Sequence, residues 1–159
     1  MREKNGGKIL VGAGLLLAIS YTFLIGHIDG NTITHWAYDL LDSIRLGNLR
    51  DFPVFTTQQH GMSCNYTLFT NVINAIWLSP LFLIDHMFHM NLDGAYLIWY
   101  KVFVFITALL NGYLLGRVLK YENSEEEYIY LAQGLYLTSA VLVFSVIGKG
   151  QVDGITLTF

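Results

Sequence analysis

Three acidic residues and one histidine stand out between the first two long apolar runs of this chain. Asp29 closely follows the first run, and Asp39 and Asp42 come later, with His35 one helical turn before Asp39. A carboxylate at the level of lipid headgroups can act as a general base, or it can hold a divalent cation against a phosphate. Asp29, Asp39 and Asp42 are therefore our candidate catalytic residues, and Asp29 or His35 could bind a divalent cation. The plain alternative for each is a solvated position on a loop or an outer helix face.

Basic side chains in and after this stretch could bind a phosphate-bearing substrate. Arg45 and Arg50 lie in the same stretch, and a guanidinium pairs well with phosphate. The alternative for both arginines is ordinary contact with lipid headgroups. Lys101 is the one charged residue in its apolar run. It is a substrate-binding candidate, as is His35, but a lysine near a helix end can also extend its ammonium group to the membrane surface.

Four long apolar runs must position these residues. They cover residues 9–27, 66–84, 95–116 and 128–148, and they contain no charged residue apart from Lys101. About 20 apolar residues in a helix cross a hydrocarbon core of about 30 Å. The composition agrees, with 53% hydrophobic residues and only 13% charged residues, against about 25% charged residues in soluble domains. We therefore predict an all-α fold, a polytopic transmembrane helix bundle of about four spans.

The two ends of the chain add to this prediction. Apolar residues after Gly154 predict the start of a fifth span. We expect residues 1–159 to form a single transmembrane domain that is the N-terminal part of a longer protein. A cleaved signal peptide is the alternative for residues 9–27, but this run is long, and its last three residues, Ile-Gly-His, make a poor cleavage site.

Charge around the first run predicts the orientation. Arg2, Lys4 and Lys8 precede it, and the positive-inside rule places such a cationic end in the cytoplasm. Strict alternation of the spans then puts loops 28–65 and 117–127 outside the cytoplasm. It puts residues 85–94 and 149–154 inside.

The first outer loop, residues 28–65, contains a helical pattern. Between residues 33 and 45 the apolar positions recur with spacings of three, four and seven, which indicates one apolar helix face. His35, Asp39 and Asp42 fall on the other face, within about 60° of one another. Gly47 fits the stop of this helix, and Thr32 or Thr34 could cap its start. We expect an amphipathic helix lying in the membrane interface with its acids toward water. Its apolar face would consist of Ile33, Trp36, Ala37, Leu40, Leu41 and Ile44.

The order of these features resembles a known family. A basic N-terminus, one span, an acid at its outer end, an interfacial helix containing Ala-Tyr-Asp-Leu-Leu-Asp-Ser-Ile-Arg-Leu-Gly-Asn-Leu and further spans follow in sequence. This order is similar to the N-terminal half of the polytopic glycosyltransferases of the GT-C fold. The stretch Gly-Gln-Val-Asp at residues 150–153 resembles a Gly-Gln-x-Asp motif of some mannosyltransferase-like members.

The resemblance implies a function and a site. Members of this family transfer sugars from polyprenyl-phosphate donors and keep catalytic acids in the first outer loop. Asp29 matches the acid after the first span, whereas Asp39 and Asp42 are spaced as Asp-x-x-Asp rather than Asp-x-Asp. Gln151 and Asp153 match the second motif and are implied to bind substrate, although strict alternation places them on the inner side.

We therefore expect a multi-pass glycosyltransferase of the cell (plasma) membrane, with membrane lipid and a lipid-phosphate-linked sugar donor as partners. A divalent cation is the cofactor that this chemistry could use. Two alternatives stay open, which are a transporter or flippase of polyprenol-linked glycans and a non-catalytic assembly subunit. The formal net charge of −3 argues against a nucleic-acid partner. Cys64 is the sole cysteine, so an internal disulfide is excluded.

Overall fold

The computed structural model describes residues 5–25, 28–52, 54, 68–90 and 92–148. In these ranges helices are the only regular secondary structure, so the all-α prediction is confirmed for them. The elements are α1 (Gly6–Leu24), α2 (Ile28–Arg45), a short 3₁₀ turn (Leu49–Asp51), α3 (Leu68–Phe88), α4 (Asp93–Tyr121), α5 (Glu126–Thr138) and a π-helical segment (Val141–Gly148).

Three helices are long and apolar enough to cross a membrane. They are α1, α3 and the part of α4 from Gly94 to Tyr121. These helices correspond to the first three predicted spans, with ends that differ by a few residues. The fourth span, predicted over residues 128–148, is not confirmed, because these residues do not form one helix. The α5 helix ends at Thr138, and Ser139 is extended with φ −61° and ψ 137°.

The interruption after α5 has a local cause. The Thr138 hydroxyl donates a hydrogen bond of 2.8 Å to the Gly134 carbonyl in the preceding turn, a bond that tends to bend helices. The Ser139 Oγ atom then accepts a hydrogen bond of 3.2 Å from the backbone N–H of Leu142. Serine is a preferred helix N-cap for this reason. Ser139 thus ends one helical segment and starts the next.

The described helices form two compact units. We call residues 28–100 the central unit, and residues 1–27 together with 101–159 the terminal unit. The α4 helix contributes to both units, since its residues up to Tyr100 belong to the central unit and those from Lys101 onward to the terminal unit.

In the terminal unit, α1 and α5 run in the same direction in close contact. A Cβ atom added at Gly14 would lie 2.6 Å from the Leu137 Cβ atom, and one added at Gly134 would lie 2.8 Å from the Leu10 Cβ atom. Small residues allow helix backbones in membranes to approach this closely. Near the start of both helices Gly7 lies against Leu131. Residue numbers therefore increase in the same direction along both helices, which means that they are parallel. The π-helical segment follows the same path, with the Phe144 ring edge-on to Tyr21 at 5.3 Å.

This parallel packing corrects part of the predicted topology. Alternation placed loop 117–127 on the opposite side from the N-terminus. Lys8, near the start of α1, lies over the ring of Tyr130, near the start of α5. The turn between α4 and α5 is therefore at the same end of the terminal unit as the start of α1, and the prediction for loop 117–127 is wrong relative to the N-terminus. Alternation counts apolar runs and contains no information on which helices pack together.

Two polar contacts connect α4 to its neighbours in the terminal unit. The Lys101 ammonium donates hydrogen bonds to the carbonyls of Tyr21, at 2.7 Å, and Ile25. The last carbonyls of a helix have no partner inside the helix, and a cation there also interacts well with the helix dipole. Further along α4, the Gln133 side chain of α5 donates to the Gly112 carbonyl at 3.0 Å.

In the central unit, α2 confirms a predicted helix but begins earlier. It starts at Ile28, so Thr32 and Thr34 lie inside the helix and do not cap it. Its end is confirmed at Gly47, which has φ +71°. The N–H of Asn48 bonds to the Ser43 carbonyl at 2.9 Å, which is the Schellman pattern that favours glycine at this position. Placement of α2 at the membrane surface stays a prediction.

The two faces of α2 differ from the prediction at two positions. Ile33, Trp36, Ala37 and Leu40 are buried, as expected for the apolar face. Ile44, assigned to the same face, is 56% exposed because it lies in the last turn of the helix, while Asp39, assigned to water, is only 4% exposed. Burial therefore covers a wider arc of α2 than its apolar residues indicate.

The α3 and α4 helices pair through two tryptophans. The Trp77 and Trp99 indoles stack at 5.1 Å with 18° between their planes. The Trp77 Nε1 atom donates to the Trp99 carbonyl at 2.8 Å, and the Trp99 Nε1 atom donates to the Trp77 carbonyl at 2.9 Å. Both indole N–H groups are thus satisfied in an apolar setting, as buried tryptophans require. This pair fixes the middle of α3 against the first two turns of α4.

Candidate functional site: an acid and histidine cluster in the central unit

Asp42 is held in place by an arginine of its own helix. The Asp42 Oδ1 atom accepts a hydrogen bond from the Arg45 Nε atom at 2.8 Å and lies 2.7 Å from the Arg45 Nη2 atom. This is a side-on pairing in which the guanidinium fork approaches one carboxylate oxygen. Arg45 is about half exposed, whereas the Asp42 side chain is only 16% exposed. The carboxylate is therefore oriented by a group that still contacts solvent.

His86, in the last turn of α3, faces this carboxylate. The His86 Nε2 atom lies 3.9 Å from the Asp42 Oδ1 atom, and the His86 Nδ1 atom lies 3.0 Å from the Phe82 carbonyl oxygen. A carbonyl only accepts hydrogen bonds, so Nδ1 carries a proton and Nε2 is the nitrogen that can take up or release one. Asp42 is the acid that faces Nε2. This arrangement can perform general acid–base chemistry.

Aromatic rings enclose the histidine. The Phe82 ring lies 4.1 Å from the His86 ring. Tyr38 of α2 lies edge-on to Phe82 at 5.1 Å and to Tyr96 at 5.3 Å. The same contacts show that α2 and α3 run in the same direction, since Tyr38 meets Phe82 and Asp42 meets His86 one turn later.

A second acid lies beside this cluster. The Tyr96 hydroxyl donates a hydrogen bond of 3.1 Å to the Asp85 Oδ2 atom. Asp85 and His86 line a pocket of about 330 Å³, together with Tyr38, His89 and Met90. Ligand pockets commonly start at about 300 Å³. The cluster therefore borders a space large enough for a small polar group.

His89 reaches this pocket through an unusual backbone conformation. It has φ +50°, in the left-handed region, and the N–H of Met90 bonds to the Asp85 carbonyl at 3.2 Å. Glycine is the preferred residue at this position of a helix end, and a side chain there costs about 1 kcal/mol or more. His89 therefore carries backbone strain where it lines the pocket.

Some buried polar atoms of the central unit have no hydrogen-bond partner in the described part of the chain. They include both amide atoms of Asn74, which is 0% exposed, and the hydroxyl of Ser43. Most buried polar groups in proteins are hydrogen-bonded, and one without a partner costs free energy of folding. The packing of the central unit does not explain why these groups are present.

The predicted site residues are distributed over more than one place. Asp29 lies in the first turn of α2, and at about 1.5 Å per residue it is about 20 Å along the helix from Asp42. The two acids therefore cannot act on the same bond. Asp39 is buried, whereas His35 and Arg50 are exposed. Lys101, buried in α4, caps α1. Gln151 and Asp153 lie outside the described residues.

The sequence interpretation missed Asp85, His86 and His89. The run Asp-His-x-x-His at the end of the second apolar stretch was the available signal, because spacings of three and four place residues on one helix face. A metal site is not supported in the described ranges, which contain no group of three or more His, Cys, Asp or Glu residues arranged to hold an ion. The divalent cation stays a prediction.

Comparisons with known protein families, with curated proteins and with solved structures find no match to this chain.

Proposed function

We propose that this protein is an integral-membrane glycosyltransferase that moves a sugar from a lipid-phosphate-linked donor to an acceptor of the cell envelope. The observation that carries the proposal is the pairing of Asp42 with His86 beside a pocket, in a chain with three helices able to cross a membrane. The donor of such a reaction is anchored in the bilayer, so its enzyme needs acid–base groups held close to the membrane. The order of elements resembles that of the GT-C transferases and supports the same function.

The proposed reaction uses the cluster as follows. The acceptor hydroxyl gives its proton to the His86 Nε2 atom, and its oxygen forms a bond to the anomeric carbon of the sugar. The bond from that carbon to the phosphate oxygen breaks, and the electron pair leaves with the phosphate. The Asp42 carboxylate, 3.9 Å from the same Nε2 atom, attracts the positive charge that results.

Arg45 is the group of this cluster that would receive the leaving phosphate. Its guanidinium carries five N–H donors, it pairs with Asp42 through two nitrogen atoms, and it is about half exposed. A guanidinium can bind a carboxylate and a phosphate together when both lie in its plane.

Membrane placement completes the proposal. We propose that the helices are embedded in the plasma membrane. Lys101 was the one charged residue that could have served transport inside a span, and its bonds to the ends of α1 give it a structural role. The transporter alternative therefore gains no support from it.

The test is sugar transfer from a polyprenyl-phosphate donor by the protein in nanodiscs. We expect Asp42→Asn and His86→Gln to lower the rate by about 10²–10⁴-fold, the usual contribution of general acid–base catalysis. Asp51→Asn, which changes an exposed acid after α2, is the matched control and should keep the wild-type rate. Thermal unfolding of each variant in the same nanodiscs separates lost chemistry from lost folding.

Asp29→Asn decides between the two ends of α2. If it abolishes transfer while Asp42→Asn stays active, the site lies at the start of α2, as the family resemblance implies, and the role of His86 is refuted. The transferase proposal is abandoned in favour of a non-catalytic subunit if the wild type transfers no sugar. It is also abandoned if Asp29→Asn, Asp42→Asn and His86→Gln all keep full activity.

A further inference from the structure

A second pocket lies in the terminal unit, where α4 ends and α5 begins. Its volume is about 930 Å³, and its lining includes Arg117, Lys120, Tyr121, Glu126 and Tyr130. Pockets of this size accept small organic ligands. The proposed transfer reaction, which uses residues of the central unit, makes no use of it.

Tyrosines hold two cations at this pocket. The Arg117 Nη1 atom donates a hydrogen bond of 3.0 Å to the Tyr113 hydroxyl, and the guanidinium carbon lies 5.9 Å from the centre of the same ring. The Lys8 ammonium, which comes from α1, lies 5.0 Å from the centre of the Tyr130 ring. Both distances are within the range of cation–π attraction. The cations are thus positioned by the fold.

The pocket lies at one end of a helix that is long and apolar enough to cross a membrane. It is formed by the last turns of α4, a helix able to cross a membrane, and α1 begins at the same end of the unit. Tyr121 is 85% exposed and Tyr128 is 63% exposed there. Tyrosines are enriched where membrane helices enter the headgroup region.

The charge of the lining favours an anion. Among the described residues that line it, Arg117 and Lys120 are the cations and Glu126 is the acid. Glu122, Glu125 and Glu127 are exposed at the same end but do not line the pocket. Arginine and lysine side chains together bind a phosphate through charge-assisted hydrogen bonds.

We propose that this pocket binds the headgroup of an anionic phospholipid, with the lipid phosphate between Arg117 and Lys120. Its acyl chains would lie along the exposed apolar surface of α4, where Leu114 and Val118 are exposed. The orientation predicted from Lys8 and its neighbours would place this lipid in the cytoplasmic leaflet, which carries the anionic lipids in many membranes.

The test measures retained lipid by native mass spectrometry of the protein released from nanodiscs. Phosphatidylglycerol and phosphatidylcholine are the two probes, and phosphatidylglycerol should be retained preferentially. Removing both cations in Arg117→Gln/Lys120→Gln should lower its retention by about 25-fold, from about fivefold for each cation near a membrane surface. Equal retention of the two lipids, or an unchanged double variant, would overturn the proposal.

A matched pair of acid variants distinguishes a pocket from general surface charge. Glu126→Gln removes the acid in the lining and should raise retention of phosphatidylglycerol by about fivefold, a gain that misfolding cannot produce. Glu122→Gln makes the same change of charge outside the lining and should leave retention unchanged. Equal gains would show a diffuse charge effect, and complete displacement of the lipid by millimolar inorganic phosphate would show a free-phosphate site. Either result would refute the lipid site.

Discussion

Two polar side chains of the terminal unit bond to helix backbones, whereas several in the central unit do not. In the terminal unit, Lys101 bonds to the end of α1 and Gln133 bonds to the backbone of α4. In the central unit, Asp42 and His86 face each other beside a pocket, and the Asn74 amide has no hydrogen-bond partner among the described residues. Polar groups that are not needed for packing are the ones that can serve chemistry. The contrast is our main reason for placing the reaction in the central unit.

The strongest test of this contrast concerns the tight packing of the terminal unit. Gly14→Ala puts a Cβ atom 2.6 Å from the Leu137 Cβ atom, and we expect a loss of about 3 kcal/mol in the free energy of unfolding from overpacking. Gly12→Ala is the control, because no atom lies within 4 Å of its added Cβ atom. It should be neutral or stabilising by up to about 1 kcal/mol. Denaturant titration in detergent, followed by circular dichroism, measures both, and equal stability of the two variants would contradict the close α1–α5 contact.

Lys101→Met tests whether the buried lysine is structural. Its loss leaves the carbonyls of Tyr21 and Ile25 without their charged partner, and hydrogen bonds to charged groups contribute about 1.5–3 kcal/mol each. Relief of the desolvated charge offsets part of this loss, so we expect a net destabilisation of about 2 kcal/mol. Lys120→Met, at an exposed position, should change the same unfolding curve by less than about 0.5 kcal/mol. A Lys101→Met variant of full stability with lost activity would indicate a functional lysine instead.

Asn74→Leu should have the opposite sign. It replaces a fully buried amide that has no partner in the described ranges by an apolar side chain of similar size. Removing such a group should stabilise the protein by about 1–2 kcal/mol, the cost of an unsatisfied buried polar group. A clear destabilisation in the same titration would show that the amide is paired in the folded protein, and the contrast between the units would be weaker.

Ser139→Ala should have the smallest effect of the four. It removes the oxygen that accepts from the Leu142 N–H at the restart of the helix, and loss of a serine N-cap costs about 1 kcal/mol. Ser79→Ala, which removes a hydroxyl bonded only to its own helix at the Ile76 carbonyl, is the control and should stay within about 0.5 kcal/mol of the wild type. Equal effects of the two variants would argue against Ser139 as the boundary between α5 and the π-helical segment.

Local patterns in the sequence predicted the helices well. The three candidate spans, α2 and the stop at Gly47 follow from apolar run length, helical periodicity and the backbone freedom of glycine. The break at Ser139 was missed because an uncharged run gives no signal when one hydroxyl starts a new helical segment. Apolar content indicates that a segment avoids water, and it does not distinguish one continuous helix from two.

Contacts between distant segments could not be predicted in the same way. Nothing near Asp42 in the sequence indicates His86, since their proximity depends on the parallel packing of α2 against α3. The same holds for Asp39, whose burial is decided by the helices around it, and for the parallel arrangement of α1 and α5, which depends on glycine contacts. Among the three candidate acids the family resemblance favoured Asp29, whereas the contact with His86 favours Asp42, about 20 Å away along the same helix.

The length of α4 has a consequence for the bilayer itself. At about 1.5 Å per residue, the helix from Asp93 to Tyr121 is about 43 Å long, against a hydrocarbon thickness of about 30 Å. The tilt of about 20° that is usual for membrane helices absorbs only a few ångströms of this hydrophobic mismatch. The segment of α4 between the charged residues Lys101 and Arg117 is about 24 Å long, which is less than the hydrocarbon thickness. This segment is the part of α4 that can lie within the hydrocarbon. A thicker, sterol-rich membrane would cover more of α4 and would bring Arg117 closer to the hydrocarbon. The free-energy cost of burying Arg117 should therefore influence how the protein is distributed among membranes of different thickness.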